Sequence, residues 1–278
     1  MKRAVKLLTV LDIAFLLLLS LSGSIGGIGG DVVYLLAFAI PLFIGLLAAR
    51  KMKREREEVN GVAEAELLRF TISGEGAKIA LPLAFPLICV VLFVAWLTSL
   101  LLGAFGYSGS APTDAPLWQM LLAHALAPAL LEEMLFRYLP IKLLLPYSPR
   151  GCLIFSSLYF ALIHLDLFKM PYAFIAGLLL VAVDVMTGSI LPSLVIHFLN
   201  NFASVLLIKY GADATFLAVY YASLALLTVI SLAFIVIGRK KYRECLSRVL
   251  SRGRTEYDYS TAVLALVCVG AAILNLFV

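Results

Sequence analysis

The chain has 278 residues, of which 63% are hydrophobic and only 14% charged. Soluble globular chains are about 45–50% apolar and about 25% charged. The composition excludes a disordered chain, a collagen and an ordinary cytosolic enzyme, and it predicts a multi-pass membrane protein.

The formal net charge of +5 is clustered. It sits in Lys2, Arg3 and Lys6, in Arg50-Lys51-Met52-Lys53-Arg54, and from Arg239-Lys240-Lys241 to Arg254. Every cluster abuts an apolar run. That pattern reads as the marking of cytoplasmic loops and not as a nucleic-acid surface. The four cysteines (Cys89, Cys152, Cys245 and Cys268) form no CxxC pair and no disulfide framework.

A spanning helix needs about 17–25 consecutive apolar residues. In chain order, candidate runs occupy 7–22, 32–49 and 80–105, the last following a polar stretch around Glu64 to Arg69. They continue at 117–144, 152–165, 170–186, 190–208, 215–237 and 261–278. The fifth and sixth are short for a full span. The expected fold is an all-α polytopic transmembrane helix bundle with eight or nine spanning helices. Its parts are N-terminal helices with a basic loop (1–116), a polar-residue-bearing core (117–208) and C-terminal helices (209–278). The first run also resembles a secretory signal peptide, but Asp12 inside it favours a retained helix. No internal repeat is present.

With Lys2 and Arg3 in the cytoplasm, the basic segments at 50–54, 142–150 and 239–254 fall on that same side. The opposite side receives Asp31, Asp114, Asp166 and Asp213, with Lys169 and Lys209 as its cations. The agreement fixes the expected orientation, a cell-membrane protein with a cytoplasmic N-terminus. Only Thr187-Gly188-Ser189 links the sixth run to the seventh, so the two are expected to be antiparallel neighbours.

A charge in the middle of a spanning helix costs about 2.5–3.5 kcal/mol and marks a functional candidate. The fourth run carries three, in Leu131-Glu132-Glu133-Met134-Leu135-Phe136-Arg137. Glu133 and Arg137 are four residues apart, share a face and can pair. Glu132 points about 100° away and is the carboxylate left for chemistry. The bland alternative is a structural ion pair beside one protonated Glu. The fifth run adds Phe160-Ala161-Leu162-Ile163-His164, in which the ring can pack beside the imidazole. The seventh adds His197-Phe198-Leu199-Asn200-Asn201, with His197 and Asn201 one turn apart on one face.

These residue types suit peptide-bond chemistry. A desolvated Glu can act as a general base. A His and an Asn can hydrogen-bond the oxyanion of a tetrahedral intermediate, or they can serve as interhelical glue. Glu with two His could instead ligate zinc, but there is no HExxH helix and the ligands would come from three separate helices.

Glu132-Glu133-x-x-x-Arg137, Phe160-x-x-x-His164 and His197-x-x-x-Asn201, in that order, resemble the motifs of the CPBP family. That family comprises the type II CAAX prenyl endopeptidases and the bacteriocin-processing or Abi proteins. The resemblance covers about 117–208 and implies an intramembrane endopeptidase acting on a membrane-associated protein or peptide. It implies that Glu132 with His164 activates water, that His197 and Asn201 stabilise the oxyanion, and that Glu133 and Arg137 hold the site together. A metal-free glutamic mechanism is favoured over zinc, because no His pair shares a helix. Lipid and a membrane-associated polypeptide are the expected partners, and nucleic acid is not. The cavity is expected to reach the cytoplasmic side, where the seventh run begins just before His197. His164 then lies at a different depth, which is a tension within this reading.

Three other features resemble known sites. Gly106-Tyr107-Ser108-Gly109 matches a rhomboid GxSG pattern, but it leads into a polar loop and opens no apolar helix. Tyr257-Asp258 resembles half of an aspartyl pair without a partner motif. His124, two turns before Glu132, is read as a bundle hydrogen-bonder with a cavity role as the alternative, and Asp184 as an interior or end-of-helix polar residue with support of the site from behind as the lesser reading. Rival functions are a non-proteolytic bacteriocin-immunity or interaction protein on the same scaffold, and a transporter, for which the repeat symmetry is missing.

Overall fold

The computed structural model describes residues 1–25, 27–60, 68–103, 115–251 and 259–274. Ser108 and its GxSG-like stretch, Asp114, Glu64, Tyr257-Asp258 and Arg254 lie outside the described residues. Within them the fold is all-helical. The helices are α1 (Lys2–Ile25), α2 (Gly27–Asn60), α3 (Gly74–Gly103), α4 (117–144), α5 (Pro149–Leu162), α6 (Lys169–Thr187), α7 (Leu191–Tyr210), α8 (Ala214–Ile237), α9 (Arg239–Val249) and α10 (Tyr259–Leu274). Six of them (α1, α2, α3, α6, α7 and α8) are long and apolar enough to cross a membrane. The interrupted α4, the 14-residue α5 and the shorter α10 account for the remaining three expected runs.

α9 was not among those runs. The segment reads as a basic loop because its charges dominate, yet Cys245 and Val249, four residues apart on one face, are buried. Cys245 is therefore a buried helical residue and not a loop thiol.

α4 carries π-helical turns at Leu122–Leu126 and Met134–Tyr138. A proline follows each one, Pro128 and Pro140. Proline has no N–H to return to the carbonyl four residues before it, so the helical ladder breaks there. The Phe136 carbonyl, which Pro140 leaves without a partner, accepts a hydrogen bond from the Ser156 hydroxyl on α5 instead. Single-turn π stretches of this kind cluster at functional sites, and the second one contains Arg137.

α5 and α6 pack closely. A Cβ at Gly177 would lie 2.9 Å from the Ser157 Cα, so only glycine permits this approach. α6 ends at Gly188 in the left-handed conformation (φ 66°), which reverses the chain into α7 within the short link expected. Arg69 bridges to this turn, its amide donating to the Gly188 carbonyl at 3.1 Å while Ile190 donates to the Arg69 carbonyl at 3.0 Å.

Polar contacts stitch the basic helix ends together on one face. Arg3 on α1 pairs with Glu55 on α2 at 2.9 Å. Arg56 donates to the Tyr147 hydroxyl at the α4–α5 turn, 3.2 Å away. Lys241 on α9 pairs with Glu75 at the start of α3. At the opposite face Lys209, near the end of α7, donates to the Ala115 carbonyl just before α4 at 3.0 Å. The molecule thus has a basic face and a second face formed by the α5–α6 turn, the α7–α8 turn and the start of α4. The core between them is largely aliphatic and aromatic, with a buried polar knot. In it the Tyr159 hydroxyl meets Thr9 at 2.9 Å, Thr261 at 3.1 Å and the Val5 carbonyl at 3.2 Å, joining α1, α5 and α10.

Candidate functional site

Glu133 and Arg137 are fully buried on α4. The face argument holds, since Arg137 Nε lies 3.4 Å from Glu133 Oε2. The guanidinium also lies flat against Phe160 of α5, 3.6 Å from the ring centroid. A buried ion pair recovers its desolvation cost only with further partners. Here the further partner is the π face of Phe160. Asp184 of α6 is fully buried nearby, and its Oδ1 accepts from the Ser193 amide at 3.1 Å.

The other oxygen of Glu133 serves α7. His197 Nδ1 lies 2.7 Å from Glu133 Oε1. A carboxylate only accepts, so Nδ1 carries the proton and Nε2 turns to the other side. There Glu132 Oε2 stands 3.8 Å from it. The imidazole therefore lies between the two consecutive glutamates of α4.

His164 is not on α5, which ends at Leu162. The chain turns immediately after it, with Leu165 in the left-handed region at φ 48°, a conformation that is uncommon for a residue with a side chain. His164 Nδ1 lies 2.8 Å from the Phe160 carbonyl. The carbonyl fixes the proton on Nδ1 and leaves Nε2 as an acceptor. Both imidazoles meet Phe160 edge-on, with centroids 5.1 Å from it for His164 and 5.9 Å for His197. The expected mismatch in depth is therefore absent. Fourteen residues of α5 span only about 21 Å at 1.5 Å per residue, against a hydrocarbon core of about 30 Å. Its basic end is tied down at Tyr147, so its other end, with His164, is sunk to the level of His197.

Glu132, His164, His197 and Asn201 line one cavity of about 270 Å³. Glu133 and Arg137 stand behind its wall. Sequence reasoning missed two contributors and gave a third, His124, a cavity role only as the alternative. Asn200 lines the cavity beside Asn201 and was visible as a second amide in an apolar run. His124 lines it too, where a bundle hydrogen bond was expected. Phe160 was expected to pack on His164 alone, but it is the shared platform of Arg137 and both histidines.

Among the described residues no group of three or more His, Cys, Asp or Glu side chains is placed to hold a metal ion. Two of the four imidazole nitrogens are already committed to Glu133 and the Phe160 carbonyl.

Residues 114–203 match the family model described as Rce1-like, type II CAAX prenyl endopeptidase Rce1-like. The match bears out the resemblance read from the three motifs, all of which lie inside it. No curated protein and no solved structure matches the chain at a significant level. The Rce1-like segment runs through α4, α5, α6 and most of α7, the helices that carry the cavity's polar side chains. α3 lies outside it and supplies an apolar wall through Leu87, Ile88 and Val91.

Proposed function

We propose that the chain is an intramembrane endopeptidase of the cell membrane, with a cytoplasmic N-terminus, that hydrolyses a peptide bond of a membrane-associated protein or peptide. The observation that carries this reading is the convergence of Glu132, His164, His197 and Asn201 on one cavity inside an apolar bundle. The Rce1-like match supports it.

The chemistry follows from the proton positions. Glu132 and Nε2 of His164 are acceptors, suited to a water molecule held between them. The water oxygen attacks the scissile carbonyl carbon as Glu132 takes its proton. The carbonyl oxygen gains the displaced electron pair and becomes an oxyanion. Asn201 donates to that oxyanion through its amide N–H. His197 donates from Nε2 when that nitrogen also carries a proton, with Glu133 accepting from Nδ1. Collapse of the intermediate breaks the C–N bond, and Glu132 returns its proton to the leaving amine. Glu133 and Arg137 never touch the substrate in this scheme; Glu133 positions His197, and Arg137 balances the charge of Glu133. No step runs through a metal.

The test is cleavage of a reporter polypeptide by purified protein in liposomes. Glu132→Gln should lose all turnover while remaining folded, and wild-type turnover should survive exhaustive chelation. Full cleavage by Glu132→Gln would end the reading, and stoichiometric zinc that is lost from His164→Ala would replace the mechanism.

A further inference from the structure

The cavity does not run toward the basic face, where the sequence places its mouth. Its lining begins with Leu179, Leu180, Ile196 and His197, nearer the basic ends of their helices, and its polar part continues from there to the opposite face. On α4, Glu132 lies near the middle of the helix, and His124 and Pro128 lie nearer Leu117 than Leu144. At the α5–α6 turn the lining residues are His164 and Lys169, and Lys169 is exposed. Leu179, Leu180 and Ile196 give the other end an apolar lining. α5 ends at Leu162, and the chain turns at His164 on this face. The contacts fix which face this is: Lys209 to Ala115 ties α7 and α4 together there, whereas the Arg3–Glu55, Arg56–Tyr147 and Lys241–Glu75 contacts gather the basic clusters on the other.

Lys and Arg clusters beside spanning helices stay in the cytoplasm. We infer that the cavity opens to the extracytoplasmic side, and that its substrate is an extended segment of an exported or membrane-inserted polypeptide, not a cytosolic chain end. This rests on the endopeptidase reading for its substrate, but the sidedness stands on geometry and charge alone. The cavity volume of about 270 Å³ lies at the lower end of small-ligand sites, about 300–1,000 Å³. It admits a few residues of extended chain and no folded domain. Leu87, Ile88 and Val91 offer apolar contacts along one wall, facing the polar groups of α4 and α7. A segment with apolar side chains flanking the scissile bond fits that division.

Single cysteines read the sidedness without any catalysis. Three of the native thiols are buried and Cys89 is half-buried, so the wild-type chain serves as the blank. Lys169→Cys at the mouth should react with a membrane-impermeant maleimide on intact cells. Arg150→Cys on the basic face should react at least tenfold more after permeabilisation than before. Tyr172→Cys, one turn deeper than Lys169, should follow Lys169→Cys at a lower rate. The reverse pattern, or equal labelling of both faces in intact cells, would overturn the inference. A second arm adds a reporter peptide to sealed right-side-out and inside-out vesicles. Cleavage in right-side-out vesicles alone is the expected result. Cleavage in inside-out vesicles alone would refute the sidedness and leave the endopeptidase reading standing. The expected labelling without cleavage in either vesicle or in detergent would refute the peptidase and leave the sidedness standing.

Discussion

Glu133 holds Nδ1 of His197 at 2.7 Å across 64 residues of sequence, while the adjacent Glu132 stands 3.8 Å from Nε2 of the same ring. Two neighbouring carboxylates on one helix thus address the two nitrogens of one imidazole. One nitrogen lies in the fully buried wall and the other faces the cavity. The arrangement gives two chemically identical side chains different tasks: Glu133 sets the proton and orientation of His197, and Glu132 remains on the cavity side for water.

The division predicts that Glu133→Gln and Glu132→Gln fail for different reasons. An amide at 133 presents either its oxygen or its NH2 to Nδ1 and no longer fixes which ring nitrogen carries the proton. Turnover should fall about 10²–10⁴-fold, the range usual for general acid–base groups and their orienting partners. KM should change little, because Glu133 does not contact the substrate. The pH–rate profile of the residual activity should shift for Glu133→Gln. Steady-state kinetics over a pH series measure both quantities, and a wild-type profile in Glu133→Gln would refute the positioning role.

Arg137 has a fully buried guanidinium held by one carboxylate and one aromatic face. Truncating one partner of such a pair costs about 3–5 kcal/mol because the other charge is stranded. Arg137→Ala should therefore lower the thermal unfolding midpoint in detergent as well as activity. Arg137→Lys keeps the charge but loses the planar group that lies against Phe160, so it should recover only part of the stability. Phe160→Leu should cost activity beyond its stability loss, since both imidazoles pack on that ring.

Much of this was legible in the chain. Nine apolar runs became nine apolar helices, because in lipid a backbone must satisfy its own hydrogen bonds and spanning length follows composition. The pairing of Glu133 with Arg137 followed from helical spacing. The contact between Glu133 and His197 did not, since it joins helices whose packing no local pattern encodes. The level of His164 was hidden for a different reason. Its helix ends where Leu165 takes a left-handed conformation, and Leu-Ile-His-Leu-Asp reads as a continuing apolar run. The breaks in α4 did leave a trace: Pro128 and Pro140 each follow a π-helical turn. The helix α9 was obscured because its charges outnumber the apolar residues on its buried face.

The Ser156 hydroxyl replaces the hydrogen bond that Pro140 denies to the Phe136 carbonyl. Ser156→Ala leaves that carbonyl without this donor in a buried setting, a loss of about 1–3 kcal/mol. The unfolding midpoint should drop. Because the carbonyl belongs to the π-helical turn that carries Arg137, activity should drop with it. Ser156→Thr keeps the hydroxyl and should retain more of both. Equal midpoints for wild type and Ser156→Ala would show that the bond contributes nothing.

The approach of α5 to α6 supplies a test of packing apart from chemistry. Gly177 faces Ser157 so closely that an added methyl would stand 2.9 Å from a backbone atom, which cannot rotate away. Gly177→Ala should separate the two helices, at the cost of about 1–3 kcal/mol typical of overpacking. Phe160 is on α5, while Lys169 and Leu180 are on α6, so separation also widens the cavity between its mouth and its apolar end. The variant should then show a lowered unfolding midpoint and a raised KM, with kcat reduced less than in Glu132→Gln. Tyr159→Phe is the matched control: it removes a buried hydroxyl shared by Thr9, Thr261 and the Val5 carbonyl on the side of α5 that meets α1 and α10. It should lower the midpoint with KM unchanged. A rise in KM for both variants alike would mean that the cavity responds to general loosening and not to the α5–α6 spacing.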